Sequence, residues 1–167
     1  MITYRYTLPL CPADIAPLQQ YDKVLLTGFL YTARDAAHKK MAEILQKGER
    51  LPLDLAKTAL FYCGPSPLKP GNRCGAIGPT TSSRMDIYTP LLIQNGLRVM
   101  IGKGERSLEV QKAIMDFGAV YFLMPGGISA YLSQYIVSYE TFLWQELGPE
   151  AIYKLQVKEI PVFVGIK

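Results

Sequence analysis

At 167 residues, with 49% apolar side chains and a mean hydropathy of +0.10, the chain has the size and composition of one folded domain and not of a disordered segment. Its net charge of +4 is mild, and its bases are dispersed instead of clustered with aromatics along one surface, so no nucleic-acid partner is expected. Cys11, Cys63 and Cys74 are odd in number and irregularly spaced, which argues against a disulfide framework and for a reducing, cytoplasmic setting.

Residues 1–10 lack a basic stretch followed by an apolar core, so no secretory signal is expected there. Residues 23–32 form an apolar, β-branched run that reads as a buried strand. A helix is predicted over 34–46, with Ala37, Met41, Ile44 and Leu45 at helical spacing and Gly48 as its stop. Residues 58–63 read as a second strand, followed by a loop rich in Pro and Gly. No acidic residue occurs between Asp54 and Asp86, whereas Lys57, Lys69, Arg73 and Arg84 do, and such a local field attracts anions.

Residues 78–86 read Gly-Pro-Thr-Thr-Ser-Ser-Arg-Met-Asp. A helix is predicted over 80–94, ending at Asn95-Gly96. Thr80 and Arg84 would then lie one turn apart on one face, beside unpaired backbone N–H groups that attract anions. Thr80 also has the plain reading of a helix cap, and Arg84 that of a partner for Asp86 or Glu105.

A short strand over 98–101 delivers Gly102-Lys103-Gly104. The spacing from Gly96 and the Gly at 104 rule out a nucleotide phosphate loop, which needs Ser or Thr after its lysine. What remains is a lysine between two glycines, either aimed into a tight site or solvated on a turn. Residues 108–117 read as a helix, 119–124 as a strand and 153–166 as two more strands. Residues 117–139 carry no charge, but Pro125-Gly126-Gly127 interrupts them, so a buried strand, a turn and a short helix are expected instead of a membrane span. That segment is a candidate for core or subunit contact.

Strands and helices alternate, so the expected fold is α/β, one domain over 1–167 with a sheet covered by helices. Strand ends after Thr32, after about Ile77 and after Ile101 would converge at one sheet edge, where such folds bind ligands. Arg34 stands at a helix start, against the dipole, which points either to function or to a pair with Asp35 or Glu43. His38, the only histidine, excludes a multi-histidine metal site; it either orients Arg34 or a carboxylate, or is structural. Cysteine gaps of 52 and 11 residues do not match cluster-binding spacings.

Several blocks in order resemble the β subunit of the two-subunit, iron–sulfur-dependent fumarate hydratases and L-tartrate dehydratases, and the C-terminal domain of single-chain class I fumarases. They are Leu26-Thr27-Gly28, Tyr31-Thr32-Ala33-Arg34-Asp35-Ala36-Ala37-His38-Lys39, Gly64-Pro65, Gly78-Pro79-Thr80-Thr81 with Arg84-Met85-Asp86, Gly102-Lys103-Gly104, and a weaker tail from Glu146-Leu147-Gly148 to Pro161-Val162-Phe163-Val164. The resemblance implies a swivelling β/β/α domain and a cytoplasmic α2β2 heterotetramer. In it a larger α subunit holds a [4Fe–4S] cluster, and this chain ligates no metal. It implies hydration of fumarate to L-malate, a tricarboxylic acid cycle reaction; tartrate dehydration and a non-catalytic anion-binding module are the alternatives. Arg34, Arg84 and Lys103 would grip the dicarboxylate, Thr80 and Lys103 would be catalytic, and Asp35, His38, Thr81 and Asp86 would support them. Ser82 and Ser83 stand where many members have Ala-Gly and would bear on substrate choice.

Overall fold

A computed structural model of the chain describes residues 1–72 and 74–167; Arg73, one of the bases of the acid-free stretch, lies outside the described residues. The strands are β1 (Thr3–Thr7), β2 (Lys23–Thr32), β3 (Ala59–Phe61), β4 (Val99–Gly102), β5 (Val120–Leu123), β6 (Ile136–Leu143) and β7 (Ile152–Ile166). The α-helices are α1 (Pro12–Ile15), α2 (Asp35–Gln46), α3 (Thr89–Gln94), α4 (Leu108–Phe117) and α5 (Ser129–Leu132).

The sheet is mixed. β1 to β5 run parallel in sequence order, while β7 lies antiparallel to β5, β6 and β2. Because β7 pairs with both β2 and β5, the strands β2-β3-β4-β5-β7 close on themselves. The architecture is therefore mixed α/β, with helices packed on the sheet.

Alternation along the short parallel strands sorts their side chains into two cores. Ala59, Phe61, Val99, Ile101, Val120 and Phe122 join the cluster that contains Leu26, Leu30 and Val162. Leu60, Tyr62, Met100 and Tyr121 join the other cluster, against Ala37 and Met41 of α2, Leu92 of α3 and Val110 and Ile114 of α4. Being buried on both faces explains why these strands read as continuous apolar runs.

β2 and α4 have their expected bounds, and α2 begins one residue after Arg34. The charge-free stretch divides into β5, a turn, α5 and the start of β6, and no helix among the described residues is long and apolar enough to cross a membrane. Three expectations need correction. The single helix over 80–94 is a 3-10 turn (Ser82–Met85) followed by the separate α3, because Pro90 occupies the first turn of α3 and lacks the N–H an ongoing helix would use. The strand proposed before Ile77 is not formed among the described residues: 62–72 and 74–80 carry no ladder, and Thr81 makes one bridge to Lys103. The tail is one strand of 15 residues, not two, with its irregularity absorbed at Glu159 (φ 53).

Candidate active site

Parallel pairing places Thr32, Phe61 and Ile101 side by side, so β2, β3 and β4 end on one rim. Beyond that point Ala33 N–H donates to the Phe61 carbonyl (3.0 Å) and Tyr62 N–H to Ile101 (2.8 Å). The next residues of each strand therefore emerge together: Arg34 from β2, Gly64 from β3 and Lys103 from β4. Segment 80–82 fits between the ends of β3 and β4, with Thr80 N–H on the Tyr62 carbonyl (2.7 Å) and Ser82 N–H on the Lys103 carbonyl (3.0 Å). Thr80 and Thr81 are in this extended stretch and not in the first turn of a helix.

Arg34 is the residue preceding α2 and caps nothing with its side chain. It lies over Gly64, where an added Cβ would come 2.5 Å from the arginine Cδ and 2.9 Å from Nη1; only glycine admits that approach. Asp35 is held by both arginines, at 3.9 Å from Arg34 Nη2 and 2.9 Å from Arg84 Nη2, while Arg84 Nε donates to its Oδ1 (3.2 Å). Arg34 thus does pair with Asp35, whereas Arg84 pairs with neither Asp86 nor Glu105. Lys103 is half-buried and its side chain runs along Gly126, the turn that interrupts the charge-free stretch. Glu150, from the 3-10 segment Gln145–Glu150, places Oε1 3.4 Å from the Ala36 N–H at the start of α2.

Beneath this rim lies a buried polar layer. His38 Nδ1 is 2.8 Å from the Arg34 carbonyl; since a carbonyl can only accept, Nδ1 carries the proton. The ring is edge-on to Tyr62 with centroids 5.1 Å apart. Burial lowers the His38 pKa to about 4, against the opposing effect of its bond to Arg34, so the imidazole is neutral. His38 Nδ1–H is accordingly committed to the main chain of Arg34.

Asp86 faces inward, onto Arg106: Oδ1 accepts from Nε (2.6 Å) and Oδ2 from Ser107 N–H (2.6 Å). Arg106 Nη2 also donates to Thr89 Oγ1 (2.9 Å), and its guanidinium lies 5.1 Å from the Tyr62 ring centroid and 4.8 Å from that of Tyr121. Burial alone would lower the Arg106 pKa, but Tyr62 and Asp86 outweigh it and hold the group cationic. The Tyr121 hydroxyl is 2.8 Å from Ser82 Oγ and 2.9 Å from the Gly104 carbonyl. Ser82 is fully buried in that contact, so it faces the interior and only Ser83 of the pair is exposed. Sequence reading missed Arg106, Tyr121 and Glu150: a buried arginine carries no periodicity signal, and its partners Asp86 and Tyr121 are 20 and 15 residues away.

The rim offers two arginine forks, one lysine and a threonine hydroxyl, with Asp35 as the carboxylate between the arginines. Such a set binds and orients small carboxylates: arginine by paired parallel bonds, lysine as a point charge. It does not fit an iron–sulfur cluster. Cys11 is exposed and remote in sequence, Cys63 is buried with its thiol pushed up to about 12 by desolvation, and Cys74 sits in the same apolar core as Cys63. Among the described residues no group of three His, Cys, Asp or Glu is placed to hold a metal ion.

Residues 6–167 match the family model described as Fumarase C-terminus. The chain is 37% identical over 155 residues to the class I anaerobic fumarate hydratase of Escherichia coli K12, covering 90% of this chain and 28% of that protein. It is 37% identical over 154 residues to fumarate hydratase 2 of Leishmania major, covering 89% of this chain and 27% of that protein. It is also 32% identical over 165 residues to the L(+)-tartrate dehydratase subunit beta of Escherichia coli K12, covering 96% of this chain and 81% of that subunit. The chain therefore spans under a third of the fumarate hydratases and most of the tartrate dehydratase subunit.

Proposed function

The chain belongs to the Fumarase C-terminus family, and on that premise we propose that it is the β subunit of a hydro-lyase for a small dicarboxylate, with fumarate and L-malate as the first assignment. The observation that carries this reading is the pair of guanidinium groups, Arg34 and Arg84, from segments far apart in sequence, sharing one carboxylate on Asp35. A diacid carboxylate would take the same two forks in place of Asp35, with Lys103 directed at its other end.

In this reading the domain is a single swivelling β/β/α unit, and it assembles as α2β2 with a subunit that brings the [4Fe–4S] cluster. Held by that partner, the cluster would supply Lewis-acid chemistry at the hydroxyl that leaves or enters. This chain supplies fixed cations. Removing a proton next to a carboxylate builds charge on that carboxylate, and Arg34, Arg84 and Lys103 stabilise it without rearrangement. Thr80, whose N–H is held on the Tyr62 carbonyl, would sit beside the exchanging carbon. A hydroxyl is a weak base, so Thr80 acts with an acidic group from the partner. Asp35 gathers the two forks before a diacid takes them, His38 fixes the main chain of Arg34, Thr81 aligns the Lys103 segment through its bridge, and Asp86 anchors Arg106.

L(+)-tartrate dehydration is the second reading, favoured by the match to the tartrate dehydratase subunit over 81% of its length. Both need the same cations. The test is anaerobic assembly of the chain with its cluster-bearing partner, followed by turnover of fumarate, L-malate and L(+)-tartrate in parallel. Turnover of fumarate or malate above tartrate supports the first reading, and the reverse supports the second. Activity from the chain alone, without iron, would sink both. Lys103→Met in the assembled enzyme lowers turnover roughly 100-fold or more, as loss of one preorganised charge does, while the assembly stays intact in gel filtration.

A further inference from the structure

The two segments that carry the candidate site, 80–86 and 102–107, are joined at both ends by groups that are buried or nearly so. At one end the Tyr121 hydroxyl contacts Ser82 Oγ at 2.8 Å and the Gly104 carbonyl at 2.9 Å. Ser82 is two residues after Thr80, and Gly104 is the residue after Lys103. At the other end Asp86, two residues after Arg84, binds Arg106 Nε and Ser107 N–H, each at 2.6 Å. Between these ties Ser82 N–H meets the Lys103 carbonyl at 3.0 Å. Gly102 lies so close to Ser82 Oγ and Tyr62 that an added Cβ would collide with both.

The Arg106 side chain has no exposed surface. Burying a guanidinium is no efficient route to stability, since well-packed apolar groups of similar volume do as well or better. What the guanidinium adds is direction: Nε points to Asp86 and Nη2 to Thr89 Oγ1, with the plane resting between Tyr62 and Tyr121. Arg106 therefore couples the start of α3, the 3-10 turn Ser82–Met85 and the loop after β4 into one rigid body.

We propose that Arg106, Asp86 and Tyr121 form a clasp that positions Thr80 and Lys103 relative to each other, which extends the hydro-lyase reading and rests on it. None of the three touches substrate; they are positioning residues. Their removal leaves the cations present but misplaced, and misplacement by about 1 Å lowers turnover more than it weakens binding.

The test is Tyr121→Phe in the full chain, alone and assembled with its cluster-bearing partner. The ring that supports Arg106 remains, and only the hydroxyl is lost. Amide hydrogen exchange of residues 80–86 and 102–107 accelerates about tenfold, the effect of losing one local hydrogen bond, while β2 and α2 exchange as before. In the assembled enzyme kcat falls roughly tenfold or more with KM changed by less than about threefold, and in a Lys103→Met background the additional loss shrinks below about threefold. Ser82→Ala cuts the same bond from its other end and gives the same signature, which covers the case in which Tyr121→Phe does not fold. Unchanged exchange in both segments overturns the clasp, as does a kcat loss that multiplies in full with that of Lys103→Met. If the parent assembly turns over no diacid, the hydro-lyase reading has failed, and the exchange measurement still decides whether the clasp exists.

Discussion

The His38 imidazole is enclosed on every side, with Nδ1–H on the Arg34 carbonyl and the ring in an edge contact with Tyr62. Its pKa of about 4 in the folded chain is set first by burial, and nearby Arg106 lowers it further. In the unfolded chain the ring titrates near its ordinary value of about 6.5. The unfolded state therefore takes up the proton first as pH falls. The contribution of neutral His38 to stability is full above about pH 6.5 and is lost progressively toward pH 4. Between pH 7 and pH 5 that loss amounts to about 2 kcal/mol. Urea unfolding at the two pH values, on the wild type and on His38→Gln, isolates it: the wild type loses about 2 kcal/mol more than the variant across this interval. Equal losses would show that the ring is not held neutral.

At the level of elements, α4 shows how a local stop sets a distant geometry. The helix begins on Ser107, whose hydroxyl accepts from Val110 N–H (3.3 Å), and ends at Gly118 in the left-handed region (φ 64), after which Ala119 N–H returns to the Ile114 carbonyl (2.9 Å). That turn aims the chain into β5, and β5 carries Tyr121. A Cβ at Gly118 would meet no neighbour, so Gly118→Ala has only a conformational cost, about 1 kcal/mol, read as a fall in thermal midpoint with the far-ultraviolet spectrum unchanged. A fall several times larger would mean that the turn is held by packing. The helical spacing of α2 and α4 and the unbroken apolar run of β2 were legible in the sequence, because burial on one face or both leaves a periodic trace. β1 and β6 were not read, being short or largely exposed strands whose pairing partners lie elsewhere in the chain. The helix over 80–94 was overextended because hydroxyl residues mimic a helix start, while the decisive residue, Pro90, lies ten positions further on. Of the candidate site, Arg34 was legible as a cation set against the helix dipole, Thr80 and Arg84 as a hydroxyl and a cation at an expected helix start, and Lys103 as a lysine between two glycines. The clasp beneath them was not, since Asp86, Arg106 and Tyr121 meet only through the fold.

On the scale of the whole molecule, the rim exists because the sheet closes. β2 and β4 present Arg34 and Lys103 on one rim, on either side of β3, only while β7 spans from β2 to β5, pairing Phe163 with Lys23 and also with Leu123. Ile160, Val162 and Val164 on β7 have no exposed surface. Burying three such side chains contributes about 5–8 kcal/mol, comparable with the whole stability of a domain of this size. Removing residues 158–167 also unpairs one edge of β2 and one of β5, and unpaired edges recruit other chains. The deletion is expected to abolish the cooperative thermal transition and to yield aggregates in light scattering. Val162→Ala, which keeps the backbone ladder and removes two methyl groups, retains a cooperative transition at a cost of about 2–3 kcal/mol. The two variants separate ladder closure from side-chain burial. A cooperative melt in the deletion would show that β2 to β5 hold their arrangement without β7, and the placement of Arg34 and Lys103 on one rim would then follow from parallel pairing alone.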